Sequence, residues 1–134
     1  MKTYLLVAII LFLFSCQKTQ EKKVSQTRQA VEYLVFEVKP ELKDRFIEAE
    51  HQIWTKSLDS FPGLISKEIW INDLKPNEVT VVIYWNSFEE WKAIPEEVLK
   101  EVEQEFDDFF GEENYSFKEA RHENNRWYKV SEYK

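Results

Sequence analysis

The stretch from Leu42 to Phe61 constrains the fold more than any other, because it is apolar along one side and carries a carboxylate in the middle of that side. At about 100° per residue, Leu42, Phe46, Ile47, Ile53, Trp54, Leu58 and Phe61 share one broad arc, the periodicity of a helix facing a core. Glu50 lies near the middle of the arc, and His51 at its edge beside Ile47 and Leu58. An unpaired buried carboxylate is costly, so Glu50 is expected to find a partner, to shift its pKa or to face a cavity. Pro40 opens this helix, with Glu41 and Asp44 near its positive end, and Pro62-Gly63 stops it.

The segments on either side read as strands. Val31 to Val38 alternates Leu34, Phe36 and Val38 with Tyr33, Val35 and Glu37, so both faces are largely apolar and both are expected to be covered. Leu64–Asn72 and Glu78–Trp85 form a predicted hairpin about Asp73-Leu74-Lys75-Pro76-Asn77. Its second arm, β-branched and aromatic nearly throughout, is the expected central strand. Ser87 and Glu90 have capping-box spacing and start a short helix carrying Trp91, which Pro95 interrupts. A second helix follows, with Val98, Leu99, Val102, Phe106, Phe109 and Phe110 on one face, an acidic solvated face opposite, and Gly111 at its C-terminus. Tyr115 to Arg121 alternates as a fourth strand, and Trp127-Tyr128-Lys129-Val130 makes a short fifth.

Strand, helix, strand, strand, helix, strand is the split βαβ order. It predicts an α+β, ferredoxin-like antiparallel sheet with two helices on one face. The second face, with Tyr33 and Val35, then needs a cover, and a homodimer of sheets packed face to face is the simplest one.

The 134 residues suit one domain. With a net charge of -7 and acidic residues crowded into Glu96–Glu113, a nucleic-acid partner gains nothing electrostatically. Only two glycines are present, which excludes a Gly-rich phosphate loop, and the single cysteine excludes an internal disulfide and a multi-cysteine metal site.

That cysteine follows Lys2, an apolar run from Tyr4 to Phe14, and Ser15. The run is about half the ~20 residues of a membrane-spanning helix and reads as an export signal. Leu13-Phe14-Ser15-Cys16 resembles the lipobox of bacterial lipoproteins. The resemblance implies lipidation of Cys16, cleavage before it, and a chain anchored in the cell envelope facing away from the cytoplasm. The expected organisation is therefore a signal peptide over 1–15, the acylated cysteine and a polar tether over 16–30, and the folded domain over 31–134.

Together with the order of elements, Ile53-Trp54-Thr55, Phe61-Pro62-Gly63, Lys67-Glu68-Ile69-Trp70 and Trp91-Lys92-Ala93-Ile94-Pro95 resemble a family of small bacterial proteins related to the antibiotic biosynthesis monooxygenase-like domains, which are dimeric α/β barrels. The resemblance implies a pocket between sheet and helices in each subunit and, in its enzymatic form, oxidation of a small aromatic molecule without a cofactor. Glu50 is the candidate catalytic base for such a pocket, and Trp54, Trp70 and Trp85 are its candidate lining. The plainer alternatives are core packing for the tryptophans and a buried ion pair or hydrogen bond for Glu50. Haem-degrading members place an iron-ligating histidine on the second helix. None occurs between Ser87 and Gly111, and His51 and His122 stand alone, so neither haem nor another metal is expected. Monooxygenase activity thus rests on resemblance, beside two non-catalytic alternatives, a small-molecule binder and a dimeric interaction module.

Overall fold

In the computed structural model, which describes residues 24–120 and 124–134, the β-branched run that ends at Trp85 lies near the centre of one antiparallel sheet. This strand, β3 (Lys75–Trp85), pairs on one side with β2 (Leu64–Asn72) and on the other with β1 (Val24–Val38). Beyond β1 lie β4 (Tyr115–Ala120) and β5 (Trp127–Tyr133). The order β2-β3-β1-β4 is that of the ferredoxin-like sheet, and β5 is an addition to it. The β4 ladder covers Leu34 to Val38, and the β5 ladder covers Val24 to Val31 on the same edge.

The first strand is longer than its hydrophobic alternation suggests. It starts at Val24, so part of the expected tether over 16–30 belongs to the sheet. The reason is tertiary: β5 supplies backbone partners from Val24↔Tyr133 to Val31↔Trp127. Backbone pairing of this kind leaves no trace in hydrophobic periodicity. The hairpin turn is also tighter than expected. β3 begins at Lys75, and the Asn72 side-chain oxygen accepts the Leu74 N–H at 2.9 Å, a local bond that reverses the chain in place of a longer loop.

Helices cover the face carrying Val79, Val81, Ile83 and Trp85, each buried. The first helix, α1 (Lys43–Glu50), follows a 3-10 turn at Pro40–Leu42 and runs on through a π-helical turn (His51–Thr55) into a last α-turn (Lys56–Leu58). A strictly α-helical count would leave Leu58 about 120° away from Phe46. The π turn accommodates one extra residue and brings Leu58 back onto the core side, where it is buried with Phe46, Ala49, Glu50 and Ile53.

The short α2 (Phe88–Lys92) is capped as its spacing predicts, with Ser87 Oγ accepting the Glu90 N–H at 3.1 Å and donating to its carboxylate at 3.3 Å. The long α3 (Glu96–Phe110) buries Val102, Phe106 and Phe110 along one stripe and ends at Gly111, whose φ of 98° suits a glycine.

Two core clusters result. Phe46 meets Phe106 and Phe110 edge-on at 5.4 Å between ring centroids, joining α1 to α3 over Val38 and Val79. At the other end Trp85 stacks parallel on Trp91 at 6.5 Å, beside Leu58, Val81 and Ile83. The second face of the sheet buries Val35 and Val82 as well, among Tyr33, Thr80, Glu68 and Trp70 on the adjoining strands, in keeping with a strand that is apolar on both sides.

Gly63 is buried where the α1–β2 turn meets α2, and its carbonyl accepts the Asn86 N–H at 2.8 Å. A methyl group there would lie 2.7 Å from Glu90 Cβ, an atom fixed to the α2 backbone. Gly63→Ala is expected to lower stability by about 1–3 kcal/mol, the usual cost of overpacking, and urea denaturation of the two proteins measures it.

Candidate functional site

Between α1, α3 and the sheet lies a cavity of about 510 Å³. Its floor is Glu32, Leu34 and Phe36 of β1 with Val81 and Ile83 of β3. From α1 and the π turn come Phe46, Glu50 and Trp54, and from α3 come Leu99, Glu103, Phe106 and Asp107. Glu112, Tyr115, Ser116 and Phe117 close the remaining side. Apolar and aromatic walls with a few polar groups suit a small organic ligand.

Glu50 sits where its place in the apolar arc required. It is buried, lines the cavity and has found a partner: Lys67 Nζ of β2 donates to its Oε1 in an ion pair, and Thr55 Oγ1 of the π turn lies 3.3 Å from its Oε2. Both side chains of the pair are only 6% exposed, so the charges compensate each other inside the protein. Burial pulls the Lys67 ammonium below its ordinary pKa, and Glu50 and then Glu32 act in the opposite sense.

The carboxylate that sequence reasoning missed is Glu32. It continues the phase of Leu34, Phe36 and Val38 on the helix face, so the alternation over Val31 to Val38 contains the signal. The residue as a whole is partly buried, and its carboxyl group projects into the cavity region, where it is desolvated. There Trp85 Nε1 donates to Oε2 at 3.0 Å, and Oε1 has no hydrogen bond among the described residues. Desolvation pushes its pKa up from 4.5 to about 7, against the Trp85 hydrogen bond and the charges of Lys92 and Lys67, with Glu50 adding to the rise. A carboxyl group that titrates near neutrality inside a cavity can give and take protons.

The three candidate tryptophans separate. Trp54 lines the cavity. Trp85 is in the core beneath Trp91 and reaches the site only through its indole N–H to Glu32. Trp70 is on the opposite face of the sheet, a correction to its expected place. In the ladder it faces Thr80, out of phase with Val79 and Val81, and is 44% exposed, edge-on to Tyr33 at 6.1 Å with its N–H on Glu68 at 2.9 Å. His51 is exposed, while Cys16 and His122 lie outside the described residues. Among the described residues no group of histidine, cysteine and carboxylate side chains could hold a metal ion.

No family model matches the chain, and no curated protein matches it. Solved structures do. A protein of Shewanella oneidensis superposes with a TM-score of 0.50 at 17% identity, over 82% of this chain and 98% of that one. A dimeric ferredoxin-like protein from an uncultured marine organism gives 0.49 at 19% identity, over 78% and 96%. SnoaB, a cofactor-independent oxygenase from Streptomyces nogalater, gives 0.47 at 12% identity, over 72% and 96%. The likeness is one of fold. With the strand order, the likeness to the Shewanella protein makes this an α+β, ferredoxin-like chain.

Glu32 makes stability depend on pH. Its folded pKa lies above the unfolded value, so ionisation opposes folding: the penalty is absent below about pH 4.5, grows as pH rises and is complete above about 7. At about 1.4 kcal/mol per unit the loss is at most about 3–4 kcal/mol. Glu32→Gln keeps the acceptor for Trp85 and cannot ionise, so it is expected to remove this fall. Urea denaturation of both proteins on either side of the window tests it.

Proposed function

We propose that this chain is an envelope lipoprotein whose ferredoxin-like domain binds a small aromatic molecule and removes a proton from it, as the first step of a cofactor-independent oxidation by dioxygen. The observation that carries this reading is the aromatic-walled cavity with two buried carboxylates on its lining, Glu32 and Glu50. Glu50, oriented by Lys67 and Thr55, is the proton acceptor, Glu32 is a second proton-exchanging group beside it, and Trp54 packs against the ring of the substrate. The deprotonated ring is the electron donor and dioxygen the oxidant, so the protein supplies binding, orientation and a base. A second copy of the chain covers the sheet face that carries Tyr33 and Trp70.

The test is oxygen uptake by the purified chain over a panel of phenols and polycyclic ketones, with native mass spectrometry for any aromatic molecule that copurifies. Glu50→Gln should lower turnover by about 10²-fold or more, the scale of a lost general base, and leave the thermal unfolding cooperative. Unchanged turnover would remove Glu50 from the chemistry. The closure of the Glu50–Lys67 pair favours a second reading, a binder without chemistry. In that case Glu50→Gln costs stability through the stranded Lys67, and the copurifying ligand is retained.

Anchoring is tested separately. The described residues contain no helix long and apolar enough to cross a membrane, and this proposal rests attachment on the lipobox-like sequence at Cys16. Cys16→Ser is expected to abolish labelled palmitate incorporation and to move the chain from the membrane pellet to the soluble fraction. Retention in the pellet without label would mean that another segment holds it.

A further inference from the structure

We propose that the molecule taken up by the cavity carries a positive charge on its aromatic body, as an alkylammonium or quaternary ammonium group. This rests on the reading of the cavity as a small-molecule site and adds the class of ligand. The charged lining is all of one sign: Glu32, Glu50, Glu103, Asp107 and Glu112 border the space, and among the described residues no lysine, arginine or histidine does. Two of the five are already engaged. Lys67 compensates Glu50 from behind the wall, and Asp107 accepts the Tyr115 hydroxyl at 2.6 Å.

Glu32 is different. One of its oxygens accepts from Trp85, while the other is free of hydrogen bonds among the described residues in a desolvated place. A neutral phenol would become an anion among these carboxylates when it lost its proton, which their field opposes. An ammonium group removes that difficulty by compensating Glu32 directly. The partly buried rings of Phe36 and Trp54 add aromatic surface of the kind on which such cations rest. The chain's net charge of -7 also attracts a cation from solution and repels an anion.

The experiment is calorimetric titration of the full chain with three probes that share a ring: naphthylmethylammonium, naphthylmethanol and naphthoate. The ammonium compound is expected to bind about tenfold tighter than the alcohol, with naphthoate weakest. Two variants locate the charge effect. Glu32→Gln removes the inner carboxylate, and Glu103→Gln/Glu112→Gln removes two exposed ones that stand outside the core clusters. In at least one of them the preference for the ammonium probe over the alcohol should fall severalfold while thermal unfolding stays cooperative. The proposal is overturned if the alcohol or naphthoate binds as tightly as the cation. It is equally overturned if the preference persists in both variants, which would seat the cation elsewhere on this acidic surface. If none of the three binds, the small-molecule reading of the cavity falls with it.

Discussion

The buried ion pair between Glu50 and Lys67 ties the first helix to the hairpin, and much of the architecture answers to it. Glu50 belongs to the helix layer and Lys67 to β2, so the pair bridges two layers. Neither charge can be left alone at this depth: removing one partner of such a pair typically costs about 3–5 kcal/mol, because the survivor stays buried without compensation. The register of β2 against β3, which places Lys67 opposite Ile83 on the helix face, is therefore held by charge as well as by apolar contact. A slip of one residue would send Lys67 to the far side of the sheet and strand Glu50.

The π turn belongs to the same constraint. It begins directly after Glu50, and Thr55 at its end returns a hydroxyl to the Glu50 carboxylate. The widened turn also carries Trp54 into the cavity wall while keeping Ile53 buried, and it restores the phase of Leu58. Such single π turns inside α-helices are frequent at functional sites. Here the interruption turns a helix that would simply pack on the sheet into one that holds a carboxylate and an aromatic ring at the edge of an open space.

What the sequence made legible was what depends on local pattern. The apolar arc around Glu50, the Ser87 and Glu90 cap, the glycine after α3 and the order of elements follow from spacing alone, and each stands in the structure. What it hid depends on partners distant in the chain. The early start of β1 needs β5, which pairs with it across about a hundred residues of sequence. The family resemblance offers Trp70 as lining for the pocket, whereas its position relative to Lys67 and Ile69 in a strand of period two puts it on the other face. Lys67 itself was visible only as part of a sequence string, since a lysine becomes a buried partner only when the sheet brings it under Glu50. Glu32 was legible in phase but not in consequence, because desolvation of its carboxyl group is a property of the closed layers.

The cavity remains to be accounted for against stability. The chain has ten phenylalanines and five tryptophans, ample material to fill a small core. Instead the space between α1, α3 and the sheet stays open to solvent and leaves apolar side chains such as Phe36 and Trp54 short of full burial, which forgoes part of their hydrophobic stabilisation. Into the same space the fold directs Glu32, whose ionisation near neutral pH works against folding. A domain selected for stability alone would have replaced Glu32 with another aliphatic residue in the row of Leu34 and Phe36 and closed the helices over it. Two departures from consistent packing that coincide in one place, beside a satisfied ion pair and a π turn, mark where the structure gives up stability for something other than folding. That coincidence, more than the likeness of fold to any solved structure, directs attention to the Glu32 side of the cavity.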